Sequence, residues 1–162
     1  QDRQLTYARL EGSPGGAVDT WQFTLSRQTA DEVRDRIRSN NLRDFEGVDV
    51  TTYGAALQFT SSTSIGRLTY GVDYYQDSVD SYHDDYNASG VYTGSAIQGP
   101  VGDDATYDLF GLYLQDAIDL GHRTELTIGA RYTYAAADIG RAADPVVKPQ
   151  NCRLTPHRVR RR

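Results

Sequence analysis

Leu68-Thr69-Tyr70-Gly71-Val72-Asp73-Tyr74 and Leu126-Thr127-Ile128-Gly129-Ala130-Arg131-Tyr132-Thr133-Tyr134 alternate with a period of two. Even positions carry Leu68, Tyr70, Val72 and Tyr74, then Leu126, Ile128, Ala130, Tyr132 and Tyr134; none is charged. Odd positions carry Thr69, Gly71 and Asp73, then Thr127, Gly129, Arg131 and Thr133. Successive strand side chains point to opposite faces, so each stretch reads as a ribbon with one apolar and one polar side. The apolar side ends in tyrosines, which suit the boundary between lipid and water. The pattern predicts strands of a transmembrane β-barrel.

The same alternation extends outward along the chain. Strands are expected at residues 4–11, 18–28, 45–60, 65–78, 107–120 and 123–137. Trp21, Phe23 and Leu25 share one parity, as do Tyr53, Ala55, Leu57 and Phe59, and Phe110, Leu112 and Leu114. Val48 and Val50 fall on the parity opposite to Tyr53, which predicts a bulge or a strand start near Thr51. The expected fold is all-β, an antiparallel up-and-down meander of about six strands forming an incomplete segment of a barrel.

The connections sort by length. Gly12–Gly16, Ser61–Ser64 and Gly121-His122 are short; Thr29–Asp44 and Val79–Thr106 are long. Short and long alternate through all five connections, as in a barrel with short turns at one end and long loops at the other. Within the first long segment, Thr29-Ala30-Asp31-Glu32 resembles a capping box, and Val33 and Ile37 lie four apart, which suggests a short helix.

Composition narrows the function. At 38% hydrophobic residues and a mean hydropathy of −0.60, the chain has no apolar run near the roughly 18 residues a membrane helix needs. Barrel strands escape that scan because half their residues face a wet interior. The net charge is −5; the last ten residues hold five arginines, leaving 12 basic against 22 acidic residues in the rest. An acidic body argues against nucleic acid as a partner, since phosphate contacts dominate that affinity. Cys152 is the single cysteine, so no internal disulfide is possible. No G-x-S-x-G, P-loop, H-E-x-x-H or C-x-x-C occurs, and the carboxylates of Asp77, Asp80, Asp84 and Asp85 have no apolar surroundings to raise a pKa. The chain is read as no enzyme and as needing no cofactor. Parity alone also fits a soluble all-β carbohydrate- or protein-binding module, with tyrosines as a stacking platform.

Arg67, Asp73, Asp77, Glu125 and Arg131 all sit on the polar parity; Asp116 does not. A basic side chain on the lipid face near the midplane costs roughly 2–4 kcal/mol. Parity therefore predicts that Val72→Arg blocks assembly while Asp73→Arg is tolerated.

The stretches TTYGAALQFTS, LTYGVDYYQDSVDSY, IQGPVGDDATYDLFGLYLQDAIDL and ELTIGARYTYAAAD, in this order over about residues 18–140, resemble the barrel of TonB-dependent outer-membrane receptors. The nearest branch is that of receptors for haem, haemoglobin or ferric siderophores. The resemblance implies a bacterial outer-membrane protein with a barrel of about 22 strands closed around a plug. It implies as partners outer-membrane lipid, the plug and the remaining strands, the TonB complex acting through the plug, and an iron chelate or haem as ligand. Residues 1–140 would be part of that barrel. Residues 141–162, where alternation has stopped, read as an irregular basic tail consistent with a contig end or out-of-frame extension. The lipid-facing set is Leu68, Tyr70, Val72, Tyr74, Phe110, Leu112, Leu114, Leu126, Ile128, Tyr132 and Tyr134. Tyr82, His83, Asp84, Asp85 and Tyr86, in the longest connection, are the expected ligand contacts, because Tyr, His and Asp side chains suit metal or haem iron. The start at Gln1 without Met suggests processing or a fragment.

Overall fold

The computed structural model describes residues 1–98 and 102–141. They form one antiparallel sheet: β1 (Asp2–Gly12), β2 (Thr20–Ile37), β3 (Arg43–Ser62), β4 (Gly66–Tyr86), β5 (Tyr92–Ala96), β6 (Asp103–Gly121) and β7 (Thr124–Arg141). The order is β1-β2-β3-β4-β6-β7, with β5 pairing the far end of β4. Apart from β5, strands that follow one another in sequence are neighbours in the sheet, as the meander reading requires. The sheet is not closed on itself among the described residues. The six expected strands are all present, and β5 is an addition. The expected tail, residues 141–162, lies outside the described residues apart from Arg141 at the end of β7.

Register puts the apolar parities of six strands side by side. Leu10, Phe23, Leu57, Val72, Leu112 and Tyr132 form one continuous rung. Ala8, Leu25, Ala55, Tyr74, Phe110 and Tyr134 form the next, and Gly12, Trp21, Phe59, Tyr70, Leu114 and Ala130 the one on the other side. Leu68 and Ile128, then Ile118 and Leu126, continue the belt to the short turns. Five rungs two residues apart cover roughly 27 Å of strand, or about 21 Å with a 40° tilt, close to the ~25 Å apolar band of a membrane barrel.

Burial is inverted relative to a soluble domain. Ile97 is the only buried hydrophobic side chain among the described residues, whereas Asp44, Glu46 and Asp73 are buried. Leu112, Leu114, Ile128 and Tyr132 are each at least 50% exposed. Water does not tolerate an apolar face this wide on a soluble sheet, so the face requires a cover.

The opposite face is held by polar and aromatic side chains. Arg131 donates to Asp73 at 2.7 Å and lies 5.8 Å over the Tyr113 ring. Tyr113 in turn donates to Gln58 at 3.0 Å, so one network ties β3, β4, β6 and β7. Glycines leave room for it: a Cβ on Gly111 would strike the Arg131 guanidinium, and one on Gly54 would come 2.6 Å from the Tyr75 ring. This changes one expectation. Asp73 is the buried partner of Arg131, so Asp73→Arg sets two guanidinium groups against each other and is not the tolerated substitution that parity suggests. Asp116 does lie on the apolar face, in the rung of Leu68 and Ile128 near the short turns.

Three local expectations are corrected. Residues 29–37 are strand, not helix, and pair with β1 and β3. Pairing of β3 with both neighbours runs unbroken through Thr51, so there is no bulge there. Instead the two faces exchange character above that level. Ala30, Val50, Val79, Ala105 and Ile139 make an apolar rung on the formerly polar face, while Asp31, Asp49 and Asp80 share a rung of the other. Finally, the long connections are mostly strand. The first shrinks to a turn at residues 38–42, closed by Arg38 N–H to Leu42 O at 2.8 Å. In the second, β4 runs on to Tyr86 and folds back through β5. What distinguishes the two ends of the sheet is strand extension beyond the belt.

Candidate functional site

The extended ends of β2, β3 and β4, with β5, form a rim at the end of the sheet opposite the short turns. The expected contact residues, Tyr82 to Tyr86, lie here, but on a strand rather than a loop. Strand alternation therefore divides them. Tyr82, Asp84 and Tyr86 share the face of the apolar belt; His83 and Asp85 share the other, with Asp73 and Asp77.

On the belt side, Tyr82 covers Gly47 and packs against Phe45 with ring centroids 5.9 Å apart. Tyr86 meets Tyr92 edge-on at 5.9 Å. Arg43 lies 5.9 Å over the Tyr86 ring and donates from Nε to Asp35 at 2.7 Å and from Nη2 to its second oxygen at 2.5 Å. The bond from Arg43 holds the Asp35 carboxyl below its usual range.

The other side is a ladder of charges. Glu46 is buried between Arg34 of β2 and His83 of β4. His83 Nδ1 lies 2.9 Å from Glu46 Oε2, and Nε2 lies 3.2 Å from Asp85 Oδ1. One rung further out, Asp44 is 1% exposed and accepts from Arg36 Nε at 2.7 Å and Arg38 Nε at 2.8 Å. Burial acts to raise the Asp44 carboxyl, but the two arginines outweigh it and the net shift is downward. Burial likewise acts to lower His83, and bonds to Glu46 and Asp85 overcome it, so His83 ends above 6.5.

Arg34, Arg36, Arg38 and Asp44 lie in the long segment that, with the longest connection, sequence marks as a ligand-contacting loop, but neither they nor Glu46 are singled out there. Their acid–base spacing within one strand carries no signal, because their partners come from the neighbouring strand: Glu46 and His83 are 37 residues apart. Among the described residues no group of three or more His, Cys, Asp or Glu side chains is arranged to hold a metal ion. The rim offers aromatic rings on one face and a ladder of ion pairs on the other. It can stack, hydrogen-bond and orient a ligand.

The comparisons agree with this architecture. The family described as TonB dependent receptor-like, beta-barrel matches residues 2–149. Among solved structures, the copper transporter OprC superposes with a TM-score of 0.72 at 23% identity, over 86% of this chain and 23% of that one. At that identity the likeness is one of fold, and this chain spans about a quarter of the length of that transporter. A search of curated proteins gave no match. Sheet order, the apolar belt and the extent of the family match converge: the chain belongs to the TonB-dependent receptor β-barrel family, whose barrels stand in the outer membrane of Gram-negative bacteria.

Proposed function

We propose that the chain is a wall segment of a receptor that takes an iron chelate (a siderophore complex, haem or haemoglobin) across the outer membrane. The observation that carries the reading is the belt of three unbroken apolar rungs, six strands wide, on a sheet whose buried side chains are, Ile97 apart, polar or charged. Hydrocarbon is the cover that suits it, with Leu68, Tyr70, Val72, Tyr74, Phe110, Leu112, Leu114, Leu126, Ile128, Tyr132 and Tyr134 in contact with lipid. The other face lines the interior and meets a plug, and further strands of the parent pair with the free edges of β1 and β7. The tall rim then stands outside the cell, and Tyr82 to Tyr86 reach ligand from two sides of the wall. TonB acts through the plug; the wall itself does no covalent chemistry.

The cargo is tested on the complete receptor. Cells lacking other uptake routes should gain a labelled ferric siderophore or haem when it is expressed, and lose that gain without TonB. Uptake of copper with no iron chelate would overturn the iron assignment and leave the barrel reading intact. Full solubility without detergent would overturn both.

A further inference from the structure

On the belt face of the described strands only Arg27 and Arg43 are basic, and Arg43 is paired with Asp35. Arg27 is exposed and takes part in none of the ion pairs of the described residues. It stands one rung above the top of the belt, in the rung of Thr6, Tyr53, Gln76 and Asp108. Beside it an open groove of about 450 Å³ lies on the oily face. Leu25, Tyr53 and Tyr74 line the groove, and Ala8 and Ala55 are small enough that it also touches Ser26 and Gly54, which belong to the inward parity. Its floor is therefore backbone.

The surroundings of Arg27 are donors. Tyr53 is its register partner on β3, and Thr29 and Thr51 pair in the next rung out. Carboxylates on this face are remote. Asp108 lies three strands away, about 14 Å, and accepts from Tyr74 at 2.5 Å and Gln76 at 3.0 Å. Asp31 and Asp49 lie two rungs out, about 13 Å along the strand and beyond a Debye length of about 8 Å. An arginine at a membrane boundary can simply reach for water. Arg27 differs in having an apolar groove on its belt side and hydroxyls on the other, the order in which a lipid presents its chain and its headgroup. A guanidinium meets two phosphate oxygens side by side, and threonine and tyrosine hydroxyls donate to the others.

We propose that Arg27 and this groove bind a phosphorylated lipid of the outer leaflet, with an acyl chain against Leu25 and Ala55 and the phosphate on Arg27, Thr29 and Thr51. The assignment rests on the belt facing lipid with the rim outside the cell, and is independent of the cargo.

The test gives the complete receptor, in detergent micelles, either dioleoyl phosphatidic acid or dioleoyl phosphatidylcholine, and counts the retained lipid by native mass spectrometry. The chains are identical; the first lipid bares its phosphate and the second covers it with a quaternary ammonium. The wild type should retain phosphatidic acid about five-fold better, the factor expected of one basic side chain at an anionic lipid surface. Arg27→Gln should bring the ratio close to one. Ala55→Phe, which fills the groove beside an intact arginine, should lower retention of phosphatidic acid; Ala55→Leu serves if that variant does not assemble. Heat-modifiable gel mobility reports assembly separately, so loss of the barrel is distinguished from loss of the site. Equal retention of the two lipids by the wild type overturns the proposal. So does a preference that survives Arg27→Gln, retention unchanged by filling the groove, or full displacement of the lipid by an equal concentration of inorganic phosphate. A receptor soluble without detergent would sink the belt reading and the site with it.

Discussion

Leu114 and Gln115 are consecutive residues whose side chains leave the wall on opposite sides, Leu114 in the belt and Gln115 beside Gly129 on the other face. Leu114→Arg places a guanidinium near the centre of the belt and should cost roughly 2–4 kcal/mol of assembly stability, while Gln115→Arg should cost almost nothing. Urea titration of the complete receptor in detergent micelles, following heat-modifiable mobility, separates the two. Gly111 makes a finer point. Its missing Cβ is the space that the Arg131–Asp73 pair fills, so Gly111→Ala should destabilise by about 1–3 kcal/mol in the same assay although alanine is otherwise innocuous in a strand. The β6–β7 turn offers the reverse. His122 and Arg123 both adopt positive φ, 49° and 66°, which the hairpin's twist demands and a side chain resists. Arg123→Gly should stabilise by about 1 kcal/mol. At this scale the sequence was informative about face and silent about partner. Asp73 reads as an ordinary inward polar residue until register brings Arg131 to it across 58 positions.

At the scale of elements, the belt portions of β3, β4, β6 and β7 were legible because one face is apolar and the other is not. Above the belt both faces are wet or mixed, and the period-two signal fades into what looks like loop composition. That is why 29–37 and 79–86 read as connections although they are strand. The suggested helix has a related cause: Val33 and Ile37 are four apart, a spacing that satisfies a period of two as well as one of 3.6. In the sheet they lie on one face, as alternate strand residues do. The Val48–Val50 parity was also seen correctly and explained wrongly. It marks the level at which the faces exchange polarity, with the strand running straight through. The β2–β3 hairpin carries its own prediction. Asp44 is held ionised by Arg36 and Arg38, so its contribution is present above about 3.8, the ordinary value, and lost as pH falls through its lowered one. Limited proteolysis in residues 38–42 should accelerate in Asp44→Asn at neutral pH and in the wild type only under strong acid.

Across the whole molecule, every strand but β5 contributes to one continuous apolar surface, and no layer of side chains covers it among the described residues. A sheet of this kind has no hydrophobic core because its apolar solvent lies outside. The glycines facing Arg131 and Tyr75, the tyrosines along the belt and the buried carboxylates of the rim follow from the same division between an oily exterior and a polar interior. That division is the central claim, and spin labels test it directly. Labels at Leu112 and at Tyr113, one residue apart in the complete receptor in a bilayer, should differ: Leu112 quenched by oxygen dissolved in hydrocarbon, Tyr113 not. Equal oxygen accessibility at the two positions, or quenching of the Leu112 label by a water-soluble nickel chelate instead, would contradict it.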